Sequence, residues 1–140
     1  METFRIYLAG SMSDVSFEES NIWRLTAKEW LESRECNYHV VAINPNDYYN
    51  FLEVKHVSEK EIIRLDLNKV RNSNLVLVNL SHKSIGTSME IQHSFDKGIP
   101  IIGYIDDELI QVHPWLEFEC DRVFVGLKSA LDYIENYYLN

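Results

Sequence analysis

Cysteine is scarce in this chain, and basic residues are outnumbered. The 140 residues include two cysteines, Cys36 and Cys120, far apart and in no CxxC pair. That excludes a disulfide framework and reads as two reduced, packed thiols of a cytosolic protein. Thirteen Lys and Arg stand against 22 Asp and Glu, for a formal charge of −9. Nucleic-acid backbones are bound by basic patches, so no nucleic-acid polymer is expected as a partner. The five histidines form no HxxxH pair, and neither a metal nor a cofactor is expected. No apolar run approaches the roughly 20 residues needed to cross a bilayer, so no membrane partner is expected. Met1-Glu2-Thr3-Phe4-Arg5 has neither a cationic run nor an apolar core, so a cytoplasmic location without a signal peptide is the expectation.

What is present suits one folded domain over residues 1–140. Apolar residues make up 46% and charged residues 25%, enough for a real core. Phe4 to Ala9 reads as a first strand that stops at Gly10-Ser11. Ser16-Phe17-Glu18-Glu19 is a capping box opening a helix to about residue 34, with Phe17, Trp23, Ala27, Trp30 and Leu31 at helical spacing. Tyr38 to Ile43 is a second strand, stopped by Asn44-Pro45-Asn46. Irregular aromatic sequence follows from Tyr48 to Leu52. Ser58-Glu59-Lys60-Glu61 then opens a helix to about Asn72.

Asn74 to Asn79 is continuously apolar and reads as a central parallel strand. A helix carrying Ile91, Ser94 and Phe95 inward follows, ending at Lys97-Gly98. Ile99 to Tyr104 is a fourth strand and Asp106 to Trp115 a loop. Arg122 to Val125 is a fifth strand, and Leu127 to Tyr138 a closing helix. Strands alternating with helices imply a flavodoxin-like or Rossmann-like three-layer α/β sandwich with five parallel strands.

Two carboxylates attract notice. Ser84-Ile85-Gly86-Thr87-Ser88-Met89-Glu90 joins the central strand to the next helix and sets Glu90 in that helix's first turn. In open α/β sheets ligands bind in the crevice beyond such strand ends. Glu90 also reads as the N3 member of a capping box with Thr87 as N-cap, and position alone does not separate that role from a catalytic one. In either role the helix N-terminus would favour its ionised form. Asp66 shares a helix face with Ile62 and Val70, beside the stripe of Ile63 and Leu67. A carboxylate there needs hydrogen-bonding partners or a cavity to line.

Tyr7-Leu8-Ala9-Gly10, Asp66 before the central strand, and Gly86-Thr87-Ser88-Met89-Glu90-Ile91 after it resemble the nucleoside 2-deoxyribosyltransferase family. That family includes the 2'-deoxynucleoside 5'-monophosphate N-glycosidases, and the resemblance spans Phe4 to about Trp115. It implies Glu90 as nucleophile, Asp66 as an assistant at the base or sugar, and Tyr7 as the residue that orients Glu90. Gly10, Ser11, Ser13, Ser84, Gly86, Thr87 and Ser88 are the implied substrate-binding residues. It further implies a homo-oligomer, dimer or larger, with shared sites and a contribution from around His113 and Trp115 to the neighbouring subunit. The ligands would be a nucleoside or nucleotide and a free nucleobase.

The chain departs from the family at three points. Ser88 and Gln92 stand where many members have glycine, and Ser13 where the monophosphate hydrolases have arginine. Ser84, by contrast, matches their phosphate-contacting serine. Deoxyribosyl transfer between bases is therefore the first reading and monophosphate hydrolysis the second. A nucleotide-binding module without turnover is the third. A phosphorelay receiver is disfavoured, because Asn79 stands where a phosphorylatable Asp is required.

Overall fold

In the computed structural model, residues 1–48 and 58–140 are described. The irregular stretch expected at 49–52 lies outside them. Five strands form one parallel sheet: β1 (Thr3–Ala9), β2 (His39–Ile43), β3 (Leu75–Asn79), β4 (Ile101–Ile105) and β5 (Arg122–Val125). Their order is β2-β1-β3-β4-β5, so the direction of winding reverses between β1 and β3. Helices α1 (Phe17–Glu32), α2 (Glu59–Arg71), α3 (Ile85–Asp96), α4 (Pro114–Glu119) and α5 (Leu127–Tyr133) make the connections and close the chain. A π-helical turn, Ile134–Leu139, continues α5.

The pleat divides the core in two. Ile6, Leu8, Leu75 and Leu77 point to the side covered by Trp23, Ala27 and Leu31 of α1 and by Ala130 and Leu131 of α5. Tyr7, Ala9, Val76 and Val78 point the other way, toward Val70 of α2, Ile91 of α3 and Leu116 of α4. All eight strand residues are essentially inaccessible to solvent. Each buried Leu or Ile contributes roughly 1.5–3 kcal/mol, against about 1 kcal/mol for a helix cap. The two faces of the sheet therefore hold the fold together, and the caps refine its ends.

The N-caps expected at Ser16 and Ser58 form: each hydroxyl accepts from the backbone N–H three residues on, Glu19 and Glu61. The expected cap at Thr87 does not form. Helix α3 starts five residues before Glu90, with Ser84 as N-cap accepting from the Thr87 N–H at 3.3 Å. The Ser84 carbonyl also takes the Ser88 N–H at 3.0 Å, so the first turn is complete before Glu90 is reached.

Further corrections follow from packing. Helix α4 starts in the last residues of the loop expected over Asp106 to Trp115, opened by Pro114 at its first position and by the His113 ring accepting from the Trp115 N–H. Phe95 is exposed and tilts against Phe118 of α4 instead of entering the core. Phe17 and Ile63, placed on apolar stripes by spacing, are also exposed. Both cysteines are free thiols, Cys120 buried and Cys36 half-buried.

Gly10 ends β1 in a space no side chain fits. An added Cβ would stand 2.9 Å from the Trp23 ring and 3.4 Å from the Asn79 Cβ. Gly103 is crowded too, but by the movable end of Leu80, at 2.7 Å. Gly10→Ala is expected to lower stability by about 1–3 kcal/mol and Gly103→Ala by less, measured as shifts in the urea midpoint.

Candidate active site

The chemistry-bearing residues gather on one face of the sheet. Pleating turns Tyr7 toward α3, and its hydroxyl donates to Glu90 Oε2 at 2.6 Å. Glu90 is six residues into α3 and half-buried, next to the buried Ile91. On the neighbouring helix α2, Asp66 accepts a hydrogen bond from the Tyr48 hydroxyl at 2.9 Å. Tyr7, Asp66 and Glu90 are thus brought together, as expected.

Burial dominates the electrostatics. Glu90 is pushed up to about 7, first by loss of solvent around its carboxyl. The Tyr7 hydrogen bond opposes this, Asp66 reinforces it by like-charge repulsion, and Arg24 opposes it. The expectation that a helix N-terminus would favour the ionised form is overturned: Glu90 sits beyond the first turn, where the dipole has faded. Tyr7 is pushed well above the usual tyrosine value, by burial and then by the charges of Glu90 and Asp66. It therefore stays a proton donor. Tyr48 is raised for the same reasons, burial first and Asp66 next.

The other expected residues fall in two clefts at the carboxyl edge of the sheet. One, of about 300 Å³, is lined by Ser11, Trp23, Asn79, Tyr104 and the rim residues Glu19 and Asp106. The second, of about 490 Å³, opens at the start of α3 and is lined by Lys83, Ser84, Thr87, Ser88, His113 and Trp115. His113 and Trp115 thus border the Ser84–Ser88 stretch of their own chain. The hydroxyls of Ser11 and Thr87 are buried and have no hydrogen-bond partner among the described residues. Such groups are uncommon in folded proteins and suit a ligand that supplies the missing bond. Gly10 packs against Trp23, while Ser13 and Gly86 are exposed and are not among the residues that line these two clefts.

Arg24 is the important residue that sequence reasoning passed over. It is fully buried under the end of β1. Its guanidinium donates to the carbonyls of Leu8 at 3.1 Å and Gly10 at 2.9 Å, and to that of Ser20. The signal was its place on the apolar stripe of α1, one step from Trp23 and four from Ser20. Tyr48 was likewise read as part of irregular sequence, and nothing local marks it as a partner of Asp66.

The raised Glu90 value carries a stability consequence. A carboxyl protonated more readily in the folded state than in the unfolded one stabilises the fold fully below the unfolded value, near 4.5. That contribution is lost as pH rises through about 7. Glu90→Gln, which keeps an acceptor for Tyr7, is expected to raise the melting temperature at pH 8 relative to wild type. The gain should vanish by pH 4, and scanning calorimetry across that range checks it.

No family model matches the sequence, and no curated protein matches it. Solved structures do. A conserved protein from Enterococcus faecalis V583 superposes with a TM-score of 0.77 at 16% identity, over 96% of this chain and 98% of that one. A 2-desoxiribosyltransferase from Leishmania mexicana gives 0.71 at 15% identity, over 97% and 99%. The CMP N-glycosidase BcmB from Clostridium botulinum gives 0.61 at 17% identity, over 95% and 98%. At such identities the likeness is one of fold: the chain has the parallel α/β architecture found in 2-deoxyribosyltransferases and an N-glycosidase.

Proposed function

We propose that the chain cleaves the N-glycosidic bond of 2'-deoxynucleosides and transfers the deoxyribosyl group to another nucleobase, with Glu90 as nucleophile. The observation that carries this reading is the 2.6 Å hydrogen bond from Tyr7 to Glu90, on a carboxylate released from any capping duty. One oxygen of Glu90 is held by Tyr7, which leaves the other to react. A carboxylate titrating near 7 is more basic than an exposed one and remains substantially ionised at neutral pH.

The ionised Glu90 oxygen bonds to C1' of the sugar as the C1'–N bond breaks and its electron pair leaves with the base. The transition state is oxocarbenium-like, and Asp66, held by Tyr48, positions the sugar or base. The acceptor base then attacks C1', the Glu90–C1' bond breaks, and Glu90 departs as a carboxylate. Two inversions give net retention. Sites shared between copies of the chain, with His113 and Trp115 contributing across the boundary, belong to the same proposal.

A second reading, hydrolysis of the N-glycosidic bond of 2'-deoxynucleoside 5'-monophosphates, is favoured by the cleft at the start of α3. Its Ser84 hydroxyl, the unpartnered Thr87 hydroxyl and the Lys83 ammonium suit a phosphate at a helix N-terminus, while the Ser88 hydroxyl donates to the Ser84 carbonyl. In that case water resolves the glycosyl-enzyme. The third reading, binding without turnover, has no such observation behind it.

Chromatography decides among these. The protein is incubated with deoxynucleosides and with nucleoside monophosphates, each with and without a second free base. New nucleoside formed only with the acceptor base establishes transfer, and base released from monophosphates alone establishes hydrolysis. Glu90→Ala is expected to reduce either rate at least about 1,000-fold. Equal product from wild type and Glu90→Ala would remove Glu90 from the chemistry.

The pH profile is a separate check. kcat/KM should rise with pH through a value near 7 as Glu90 ionises. In Tyr7→Phe the ionised form loses a hydrogen-bond donor, so the rising limb should move to higher pH by about one unit.

A further inference from the structure

We infer that Arg24 is a positioning residue for Glu90, acting from the opposite side of the sheet through the end of β1. This rests on the reading of Glu90 as nucleophile. The guanidinium is fully buried, and among the described residues it forms no salt bridge with a carboxylate. Among the described residues its three hydrogen bonds all go to backbone carbonyls. Burying an unpaired cation is costly, so a simple core role would be better filled by Met or Leu. The arrangement needs another explanation.

Geometry supplies it. Leu8 and Gly10 alternate with Tyr7 and Ala9 along the last residues of β1 and its exit. Beyond Ala9, which pairs with Val78, the ladder between β1 and β3 stops. Arg24 takes the Gly10 carbonyl where that ladder has ended, and its fork joins it to the Leu8 carbonyl. Gly10 has no Cβ, which lets Trp23 and the guanidinium lie directly beneath it. The guanidinium in turn stands over the Trp23 ring, 4.8 Å from its centroid. The strand end bearing Tyr7 is thereby clamped, and Tyr7 holds Glu90 at 2.6 Å.

Charge adds a second effect. Among the described residues, the titratable groups interacting with the Glu90 carboxyl are Tyr7 from β1, Asp66 from α2, Tyr48 after β2 and, from across β1, Arg24 of α1. Arg24 is the cation among them, and it favours the ionised carboxyl. Its contribution serves both halves of the reaction. It keeps the nucleophile ionised before attack and stabilises the carboxylate that departs when the glycosyl-enzyme breaks down.

The test uses Arg24→Met, similar in length and uncharged, and Arg24→Lys, which keeps a charge and loses the fork. The Glu90 carboxyl is followed by carbon-13 NMR of glutamate-labelled protein, assigned by difference with Glu90→Gln. Arg24→Met is expected to raise the Glu90 midpoint by about one pH unit. Arg24→Lys should leave the midpoint within a few tenths while lowering kcat about tenfold or more at unchanged KM. An unmoved midpoint in folded Arg24→Met overturns the inference. Should that variant fail to fold, Arg24→Lys decides: a wild-type kcat or a midpoint raised like that expected for Met overturns it. The titration needs no turnover, so it fails or succeeds separately from the proposed activity.

Discussion

Strand β1 is buried on both faces, and its pleat allows one arrangement. Ile6 and Leu8 are committed to the layer under α1 and α5, so Tyr7 and Ala9 must face α2 and α3. A slip of one residue would exchange the two sets and place a tyrosine hydroxyl among aliphatic side chains without a partner. Core packing thus sends Tyr7 to the side where α3 carries Glu90. The site is a consequence of how the sheet must be filled.

The polar groups follow from that arrangement. Tyr7, Glu90 and Tyr48 share a poorly solvated region beside Asp66, where burial moves all three toward their neutral forms and strengthens the hydrogen bonds they make. Arg24 lies behind them, on the other side of β1, with its fork on backbone carbonyls. Together they hold a carboxylate that is basic, oriented and not consumed by structure. The capping alternative failed for a local reason: Ser84 offers a hydroxyl three residues before the Thr87 N–H, so the helix begins early. Glu90 is then too deep in α3 to reach the free N–H groups of its first turn.

The reversal of strand order between β1 and β3 opens the crevice in which such folds hold ligands. Two clefts flank it with different linings. The one beside α1 has aromatic walls and an acidic rim; the one at the start of α3 has hydroxyls and a lysine. Each contains a buried hydroxyl with no partner among the described residues, Ser11 in the first and Thr87 in the second. Polar atoms left in this way set the edge of the carboxyl end apart from the closed core, where strand atoms are paired.

Much of the fold was legible in order, because apolar runs and capping residues act locally. All five strands, the starts of α1 and α2, and the parallel sheet were read from runs such as Leu75 to Val78 and from Ser16 and Ser58. Glu90, Asp66 and Tyr7 stood out through motif order, and their approach follows from strand parity and helix spacing. Other features depended on contacts far apart in the chain. Whether Phe95 enters the core depends on α4, which Pro114 and His113 open within an apparent loop. Arg24, passed over in the sequence, found its partners only when the Leu8 and Gly10 carbonyls at the end of β1 were placed above it. Tyr48 became a partner of Asp66 only when β2 and α2 were brought side by side. The sequence by itself determined the alternation of elements and which residues bring ionisable or hydroxyl side chains, since both reside in local pattern and side-chain type. Tertiary structure decided which polar groups lose solvent and which partners replace it, because burial is a property of neighbours distant in the chain.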